Sequence, residues 1–470
     1  MKSLKSNFVF NVIYQILVLI IPFITTPYIS RVIGADGIGI YSYNYSIVNY
    51  FMLFCLLGVN NYGNRFIAKI RDDKDKLSKT FWSIYFCQLV MGIMLLVIYY
   101  IYVCCFLKSY RSIALIQSIF IFSAIFDINW LFFGLEEFKV TITKNIVVKL
   151  TSMVLIFLFV KSSDDLWIYT LILAGTTLLN QVIMWIYLPK IVKTTKINAR
   201  DIIVHIKPNL ILFIPVIAVS LYKTMDKVML GLFSNMTEVG FYEQAEKIIT
   251  VPSAVITALG TVMLPRMSNL VSKNETTLIK EYIEKSEKFM MFLALPCCLG
   301  LCAVADNFVT LFLGESFDSS INIVKLLSVT IIFISIANVI RTQYLIPNER
   351  DKEYIVSVFG GAMLNLVLNV IFIPKFAAIG ACIGTIIAEF FVMFYQMISV
   401  RKALPVGKYY KFSIAYLIKS LLMYAIIYPI KFLKISSIYI ILIQILLGCV
   451  IYAILNIKYI LSILKSVLKK

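Results

Sequence analysis

The sequence contains 470 residues, of which 60% are hydrophobic and 15% are charged, and its formal net charge is +19. Its mean hydropathy is +0.89. So few polar side chains cannot cover the surface of a soluble globule of this length. The composition therefore excludes a soluble globular protein and predicts an all-α protein that crosses the membrane many times.

Apolar runs give the order of the predicted elements. A helix needs about 20 residues to cross about 30 Å of hydrocarbon, and fourteen runs meet that length. The first run contains Thr25, Thr26 and Pro27 and has no small-residue cleavage site, so we predict a spanning helix and not a signal peptide. The runs lie near residues 8–32, 40–62, 80–104, 113–133, 145–161, 167–188, 209–232, 241–265, 289–311, 321–345, 355–374, 377–400, 413–431 and 436–457.

Loop charge predicts the orientation and bears on nucleic-acid binding. Most of the 44 Lys and Arg residues fall on alternate loops, among them Lys139 and Lys144 between the fourth and fifth spans. Because Lys and Arg concentrate in cytoplasmic loops, both termini are predicted to be cytoplasmic. The excess positive charge is then explained by topology and by contact with anionic membrane lipid. Nucleic acid is not expected as a partner.

Two stretches about 200 residues apart are near copies of each other. Residues 30–41 contain Ser-Arg-Val-Ile-Gly followed by Gly-Ile-Tyr, and residues 226–242 contain Asp-Lys-Val-Met-Leu-Gly followed by Gly-Phe-Tyr. Duplicated halves are typical of secondary transporters. Six spans, an even number, separate the copies, so the repeats are predicted to be parallel. We predict two pseudo-symmetric six-helix lobes, 1–190 and 200–402, with two additional transmembrane helices and a cytoplasmic tail in 403–470.

The sequence carries no pattern typical of catalysis. Its nine cysteines lie in or at the edges of apolar segments, and its single histidine, His205, cannot form a metal cluster or a catalytic triad alone. There is no Gly-x-x-x-x-Gly-Lys-Ser/Thr motif and no loop long enough for a soluble catalytic domain. We therefore predict a transporter that is not an enzyme, with no catalytic residues, no cofactor and no metal site.

Charged residues inside the predicted spans are the candidate functional residues, because a Lys or Arg at the centre of a span costs at least about 2.5 kcal/mol. Cations facing a cavity suit an anionic substrate, and acids beside them suit ion coupling. The alternative is that these residues form structural ion pairs or extend to the membrane surface. Substrate binding is predicted for Arg31, Lys149, Lys223, Lys227, Lys247 and Arg341, and ion coupling for Asp127, Asp226 and Glu389.

Longer motifs carry a resemblance to a known family. The motifs are residues 31–41, 127–138 and 226–266, and Asn365-x3-Asn369-x3-Ile373-Pro374-Lys375 with Gly380-Ala381. Through these motifs the sequence resembles, over nearly its whole length, the polysaccharide repeat-unit flippases, the O-antigen (Wzx-type) branch of the multidrug/oligosaccharidyl-lipid/polysaccharide exporter superfamily. It departs from that pattern at Phe133, where Gln is usual, and at Phe376-Ala377, where an aromatic-Gly pair is usual.

The resemblance implies twelve core helices in two lobes plus two more, in the bacterial plasma (inner) membrane. It implies that an undecaprenyl-pyrophosphate-linked oligosaccharide is moved to the outer leaflet by alternating access, for O-antigen or capsule synthesis. Because there is no ATP motif, we expect coupling to an H⁺ or Na⁺ gradient or to consumption of the product. A polysaccharide polymerase complex is a further expected partner.

Three alternative functions remain. A peptidoglycan lipid II flippase also has fourteen helices and a cationic cavity. A cation-coupled multidrug exporter favours acidic cavity residues and twelve helices, which disagrees with Arg31, Lys223 and Lys227. A membrane-embedded ligase or polymerase typically has a large outer loop, and the predicted outer loops are short.

Overall fold

The computed structural model describes residues 4–468, with side chains described from residue 20 onward except at 138–139, 215, 218–219, 221–223, 463–464 and 466–468. The described residues form helices and no strands. The α-helices are α1 (Leu4–Leu56), α2 (Val59–Ile70), α3 (Lys74–Ile101), α4 (Arg111–Ile125), α5 (Asn129–Gly134), α6 (Phe138–Phe159), α7 (Leu166–Tyr187), α8 (Ala199–Phe233), α9 (Met236–Ser272), α10 (Thr276–Leu313), α11 (Ser319–Ser328), α12 (Thr330–Ile340), α13 (Asp351–Val400), α14 (Val406–Ile427), α15 (Ser437–Leu455) and α16 (Ile457–Leu468).

These helices confirm the predicted fold class of a polytopic membrane protein. Within the described residues, ten helical segments are long and apolar enough to cross a membrane. Helices α1 and α13 each contain two predicted spans, whereas α4 with α5, and α11 with α12, each form one. Counted in this way, every one of the fourteen predicted spans corresponds to helix.

Two backbone breaks divide the longest helices. Gly34 has φ 74° and ψ 176° and separates the two halves of α1, a conformation that glycine adopts without steric cost. Ala377 has φ 47° and ψ −128° and separates the two halves of α13. Its Cβ makes that positive φ costly, so the departure at Phe376-Ala377, where an aromatic-Gly pair is usual, falls on a strained turn.

Backbone contacts divide the chain into two compact units, Met1–Gly240 and Phe241–Lys470. In the first unit, α4 packs against α1 and α7, and α8 packs against α1 and α3. In the second, α10 packs against α11, α12, α14 and α15. The lobe boundaries near residues 190–200 and 402 stay a prediction.

The fourth predicted span, 113–133, differs from the prediction because it is interrupted between α4 and α5. Gln88 of α3 donates from Nε2 to the carbonyl oxygens of Ala124 (2.7 Å) and Asp127 (2.9 Å). Trp130 of α5 is fully buried and donates to Gln88 Oε1 at 3.3 Å. Carbonyl groups freed by a helix break inside a membrane need such internal partners. Gln88 therefore stabilises the interruption, which holds Asp127 outside the regular helix.

The start of α8 is attached to α2 by the single histidine. His205 Nδ1 and the Tyr62 hydroxyl are 2.6 Å apart, and both side chains are buried. Residue 205 precedes the predicted seventh span. Burial lowers the pKa of His205 below its ordinary value, although the nearby carboxylate of Asp201 acts in the opposite direction. The neutral imidazole is therefore the form that the fold stabilises.

Acidification should weaken the fold through His205. Because the folded-state pKa lies below the ordinary value of about 6.5, the unfolded chain binds more protons, and the contribution of His205 is lost as pH falls below about 6.5. We expect the thermal unfolding midpoint in detergent to fall between pH 7.5 and 5.5. His205→Asn keeps an acceptor near Tyr62 but does not titrate, so it should reduce this pH dependence. An unchanged pH dependence in His205→Asn would contradict the assignment.

Candidate functional site

The first unit contains a cavity of about 370 Å³ between both halves of α1 and helices α4, α6 and α7. Small-molecule sites typically have volumes of about 300–1,000 Å³. The described residues that line it are Ile21, Pro22, Thr25, Tyr41, Tyr45, Phe120, Asn145, Val148, Lys149, Ser152, Met153, Ile156, Tyr169, Leu173, Thr176, Thr177 and Asn180.

Helical periodicity explains why these residues share one wall. On α6, residues 145, 148–149, 152–153 and 156 recur every three or four positions, which places them on one face of a helix. On α7, the same spacing joins residues 169, 173, 176–177 and 180. The sequence therefore builds the cavity from one face of each helix.

The wall combines aromatic rings with a single charge. Tyr41 and Tyr45 stack with centroids 5.7 Å apart, and Tyr169 meets Tyr41 edge-on at 5.2 Å. Lys149 is the charged side chain among the described lining residues, which include no Asp, Glu, Arg or His. The cavity is therefore cationic, and it contains one of the predicted substrate-binding residues.

A polar network lies beside this cavity and includes Asp127. Asn129 donates to Asp127 Oδ1 from its backbone N at 2.9 Å and from Nδ2 at 2.7 Å. Lys144 Nζ donates to Asn129 Oδ1 at 3.1 Å and to the carbonyl oxygen of Asn180 at 2.6 Å. Asn180 also lines the cavity. The network therefore joins a carboxylate and an ammonium group through Asn129 and ends at the cavity wall.

The structure corrects the prediction that Lys144 lies in a cytoplasmic loop. Helix α6 begins at Phe138, seven residues before the predicted fifth span, and Lys144 is only 7% exposed. Hydropathy alone missed the residue because a lysine and neighbouring polar residues lower the score of the first turns. The usable signal was the polar pair Asp127 and Asn129 in the preceding span, since buried charge requires a partner.

Asp226 and Lys227 of α8 face the second half of α1. Asp226 is 3% exposed, and the Tyr50 hydroxyl lies within electrostatic range of both charges. The Tyr50 Oη is buried without a hydrogen-bond partner. Two residues before Asp226, the Thr224 Oγ1 lies 3.5 Å from Nδ2 of Asn49. The structure therefore brings these two predicted residues together with hydroxyl groups inside the first unit.

Two other predicted residues of the first unit have different surroundings. Arg31 is exposed, and its Nη1 donates to the carbonyl oxygen of Pro27 at 2.8 Å. The side chain of Lys223 lies outside the described residues, although its backbone belongs to α8.

The predicted residues of the second unit lie on three helical segments. Lys247 pairs with Glu243, one turn earlier on α9, at 3.4 Å. The guanidinium of Arg341 lies 5.7 Å from the centroid of the Tyr354 ring, in a π-helical turn after α12. Glu389 is half-buried on the second half of α13.

Amide and hydroxyl groups form a second polar cluster in the same unit. Asn365 and Asn369 are fully buried, and Asn369 Nδ2 donates to Asn365 Oδ1 at 3.2 Å. Thr385 Oγ1 lies 3.5 Å from Asn365 Nδ2 and 3.2 Å from the Tyr242 hydroxyl. These residues are not among the site residues predicted from the sequence. Among the residues whose placement is described, no three His, Cys, Asp or Glu side chains cluster as metal ligands.

The glycines of the two repeats lie in direct backbone contact. A Cβ added at Gly39 would overlap the carbonyl oxygen of Met236, and a Cβ added at Gly240 would overlap the carbonyl oxygen of Ala35. The Thr237 hydroxyl lies 3.5 Å from Asp36 Oδ1 beside them. This reciprocal packing explains why both copies carry glycine before their Ile-Tyr or Phe-Tyr pair.

Comparison of sequences relates the chain to known proteins. Residues 4–271 match the family model described as "Polysaccharide biosynthesis protein". A protein of Escherichia coli (strain K12) named "Putative O-antigen transporter" is 25% identical over 405 residues, which are 85% of this chain and 97% of that protein. The "Lipid II flippase MurJ" of Bacillus subtilis (strain 168) is 25% identical over 160 residues, 33% of this chain and 29% of that protein.

Comparison of structures shows the fold. A structure titled "Lipid II flippase MurJ, inward closed conformation" matches with a TM-score of 0.80 and 17% identity, over 96% of this chain and all of that one. An inward-facing multidrug resistance MATE family transporter of the MOP superfamily matches with a TM-score of 0.60 and 13% identity, over 82% of this chain and 98% of the other. This chain therefore shares the helical architecture of these two solved structures.

Proposed function

Because the chain belongs to the polysaccharide biosynthesis protein family, we propose that it is a flippase for an undecaprenyl-pyrophosphate-linked oligosaccharide. The substrate moves from the cytoplasmic to the outer leaflet of the bacterial plasma membrane, where the sugar unit enters a surface polysaccharide such as O-antigen or capsule. The observation that carries the proposal is the cavity among apolar helices, lined by hydroxyl, amide and aromatic groups with Lys149 as its charge.

The physical problem explains why such a cavity is needed. A pyrophosphate carrying sugars is anionic and hydrated, and moving it through hydrocarbon without partners costs far more than thermal energy. Polar groups inside a helical bundle replace the lost water. The proposed task is transport and not bond breakage. Two similar proteins support it by their names, "Putative O-antigen transporter" and "Lipid II flippase MurJ".

Cations elsewhere in the chain belong to the same proposal. Lys227, Lys223 and Arg31 are proposed to meet the pyrophosphate during the cycle, with Lys247 and Arg341 as further contacts of the anionic substrate. Hydrogen bonds between such cations and phosphate are among the strongest that proteins form. Both termini are proposed to be cytoplasmic, from the distribution of loop cations. A polysaccharide polymerase complex is proposed to receive the product.

The contact between Gly39 and Met236 supports alternating access. In the proposed orientation it lies on the outer side of the membrane, at the turns that end α8 and the first half of α1. Backbone packing of this kind closes a path without side chains and opens when two helices separate. We propose that this contact is the outer gate, closed in the present conformation.

Deletion of the gene in its host tests the function. Lipid-linked repeat units should accumulate where only reagents on the cytoplasmic face reach them, as measured by periodate oxidation of their sugars in right-side-out and inside-out membrane vesicles. Supplying the wild-type gene should restore their oxidation from the outer face. Equal outer-face oxidation with and without the gene would contradict the proposed flippase function.

Ion coupling is proposed to depend on Asp226, with Asp127 and Glu389 as further acids. Asp226 is buried next to Lys227 and the Tyr50 hydroxyl. When a cation turns towards phosphate, the surroundings of this acid change, so substrate binding and ion binding become linked. We propose H⁺ or Na⁺ antiport on this basis.

Asp226→Asn should slow transport severalfold and weaken its dependence on the ion gradient. Transport is measured in proteoliposomes while the H⁺ and Na⁺ gradients are collapsed separately. Asp164→Asn, which changes an exposed acid of the loop between α6 and α7, is the matched control and should keep the gradient dependence. Wild-type transport that is indifferent to both gradients would contradict coupling and leave Asp226 a counter-ion of the lysines.

A further inference from the structure

We propose that the cavity of the first unit binds an acidic sugar residue of the transported oligosaccharide, with Lys149 as the partner of the sugar carboxylate. This inference rests on the proposed function and names the class of sugar that the protein selects. It is carried by the balance of hydrogen-bond donors and acceptors on the cavity wall, together with the charge and the rings described above.

The hydroxyl groups of the wall offer acceptors. Thr176 donates its hydroxyl hydrogen to the carbonyl oxygen of Ile172 at 2.6 Å, and Thr177 donates to Leu173 at 2.7 Å. Thr25 likewise donates to the carbonyl oxygen of Ile21 at 3.1 Å. A hydroxyl whose hydrogen is engaged by the helix backbone keeps its oxygen lone pairs for a guest. These three lining residues therefore favour a guest that donates hydrogen bonds.

Two amide oxygens of lining residues also need a hydrogen-bond donor. Oδ1 of Asn145 and Oδ1 of Asn180 are buried without a hydrogen-bond partner, and both residues line the cavity. Buried acceptors of this kind are normally paired in folded proteins. A guest with several hydroxyl groups supplies donors for the three threonine oxygens, and a partner for either amide oxygen if its side chain turns towards the cavity.

The rings and the lysine narrow the guest further. Tyr41, Tyr45 and Tyr169 present an aromatic surface, and such rings pack against apolar faces while leaving hydroxyl groups free to bond. The C–H face of a sugar ring has that character. Lys149 carries three donors and a positive charge, and the described lining offers no acidic side chain. A sugar ring with several hydroxyl groups and one carboxylate would donate hydrogen bonds to the acceptor oxygens of the wall and place its negative charge beside Lys149.

Pyrophosphate alone fits this wall less well. Its oxygens accept hydrogen bonds and donate few or none at neutral pH, so it would bind Lys149 but leave the threonine and asparagine oxygens unpaired. A cationic drug would place its charge beside an ammonium group. The donor-rich, anionic sugar is therefore the guest that the geometry favours.

Binding of two matched glycosides tests the inference. Methyl β-D-glucuronide and methyl β-D-glucoside differ only in having a carboxylate or a CH₂OH group at C6. Saturation-transfer NMR with purified full-length protein in nanodiscs should show the glucuronide binding roughly tenfold more tightly, as one charge-assisted hydrogen bond allows. Inorganic pyrophosphate, the third probe, should displace the glucuronide weakly.

Variants assign the preference to one side chain. Lys149→Gln should abolish the preference for glucuronide, and Lys149→Arg should retain it, so that loss of charge is distinguished from loss of folding. Lys161→Gln, the matched control, removes a cation just beyond α6 that does not line the cavity, and it should leave the preference intact.

Each contrary outcome has a definite meaning. The acidic-sugar site would be overturned if the wild type binds both glycosides equally or binds neither. It would also be overturned if pyrophosphate binds the cavity more tightly than the glucuronide does, as measured by displacement of bound glucuronide. The vesicle assay on the gene deletion is independent of these probes. If it shows flipping while the glycosides are not discriminated, the inference fails alone, and if it shows no flipping, the proposed function fails.

Discussion

Replacement of Gly39 by alanine should abolish transport, and replacement of Gly240 should do the same. A Cβ at either position would overlap a backbone carbonyl oxygen of the facing segment, that of Met236 or Ala35. Backbone atoms cannot rotate away as side chains do, so α1 and the start of α9 must separate. The closed contact that we propose as the outer gate would then be lost, and transport should fall to background in proteoliposomes.

The open gate has a direct readout in labelling. Ser46 is 2% exposed and lies seven residues beyond Gly39 on α1, about 10 Å deeper along the helix. A single cysteine at position 46, on a cysteine-free background, should be protected from an impermeant thiol reagent added outside. It should become reactive when Gly39→Ala or Gly240→Ala is added.

A third glycine provides the control for folding. Gly175 of α7 has no heavy atom within 4 Å of an added Cβ, and alanine is favoured over glycine in helices by about 1 kcal/mol. Gly175→Ala should therefore keep both transport and protection at position 46. If the Gly39→Ala variant also transports normally, the contact between Gly39 and Met236 is not a gate that has to close during transport.

Most of the fold follows from the sequence because each membrane-spanning helix appears in it as a long run of apolar residues. All fourteen predicted spans correspond to helix. The interruption between α4 and α5 could not be predicted, because it depends on Gln88, a residue of another helix whose amide reaches the freed carbonyl groups. The break at Ala377 was marked only by a resemblance in which glycine is usual, since alanine does not itself indicate a positive φ.

The candidate site was less accessible to sequence reasoning. Charge inside a span marked Lys149 and Asp127, which the structure locates at the cavity and in the adjoining network. Lys144 was missed because its neighbours lower the local hydropathy. The cavity itself depends on which faces of α1, α4, α6 and α7 meet, and periodicity within one helix does not give the rotation of its neighbours. The unpaired amide oxygens were invisible for the same reason.

Lys144→Met should be the most destabilising single change in the polar network. Lys144 is 7% exposed, and its ammonium group bonds to Asn129 and to the carbonyl oxygen of Asn180. Its removal leaves the buried oxygens of Asn129 and Asn180 without their donor and takes the nearby positive charge away from Asp127. Each buried polar group left without a partner typically costs about 1–3 kcal/mol. We expect a large fall in the thermal unfolding midpoint of the purified protein. Lys161→Met, at an exposed position of the same unit, should have little effect.

A double variant that removes both charges distinguishes a structural role of Asp127 and Lys144 from a role of Asp127 in transport. Asp127→Asn combined with Lys144→Met contains neither charge, and Asn at position 127 still offers an oxygen to Asn129. Because neighbouring sites couple by about 0.5–3 kcal/mol, the double variant should be more stable than Lys144→Met alone. If Asp127 also serves ion coupling, the refolded double variant should remain unable to use the ion gradient in proteoliposomes. Recovery of stability together with full gradient-driven transport would show that the two charges only hold α5, α6 and α7 in register. If stability does not recover, Lys144 acts through its bonds to Asn129 and Asn180 and not through Asp127.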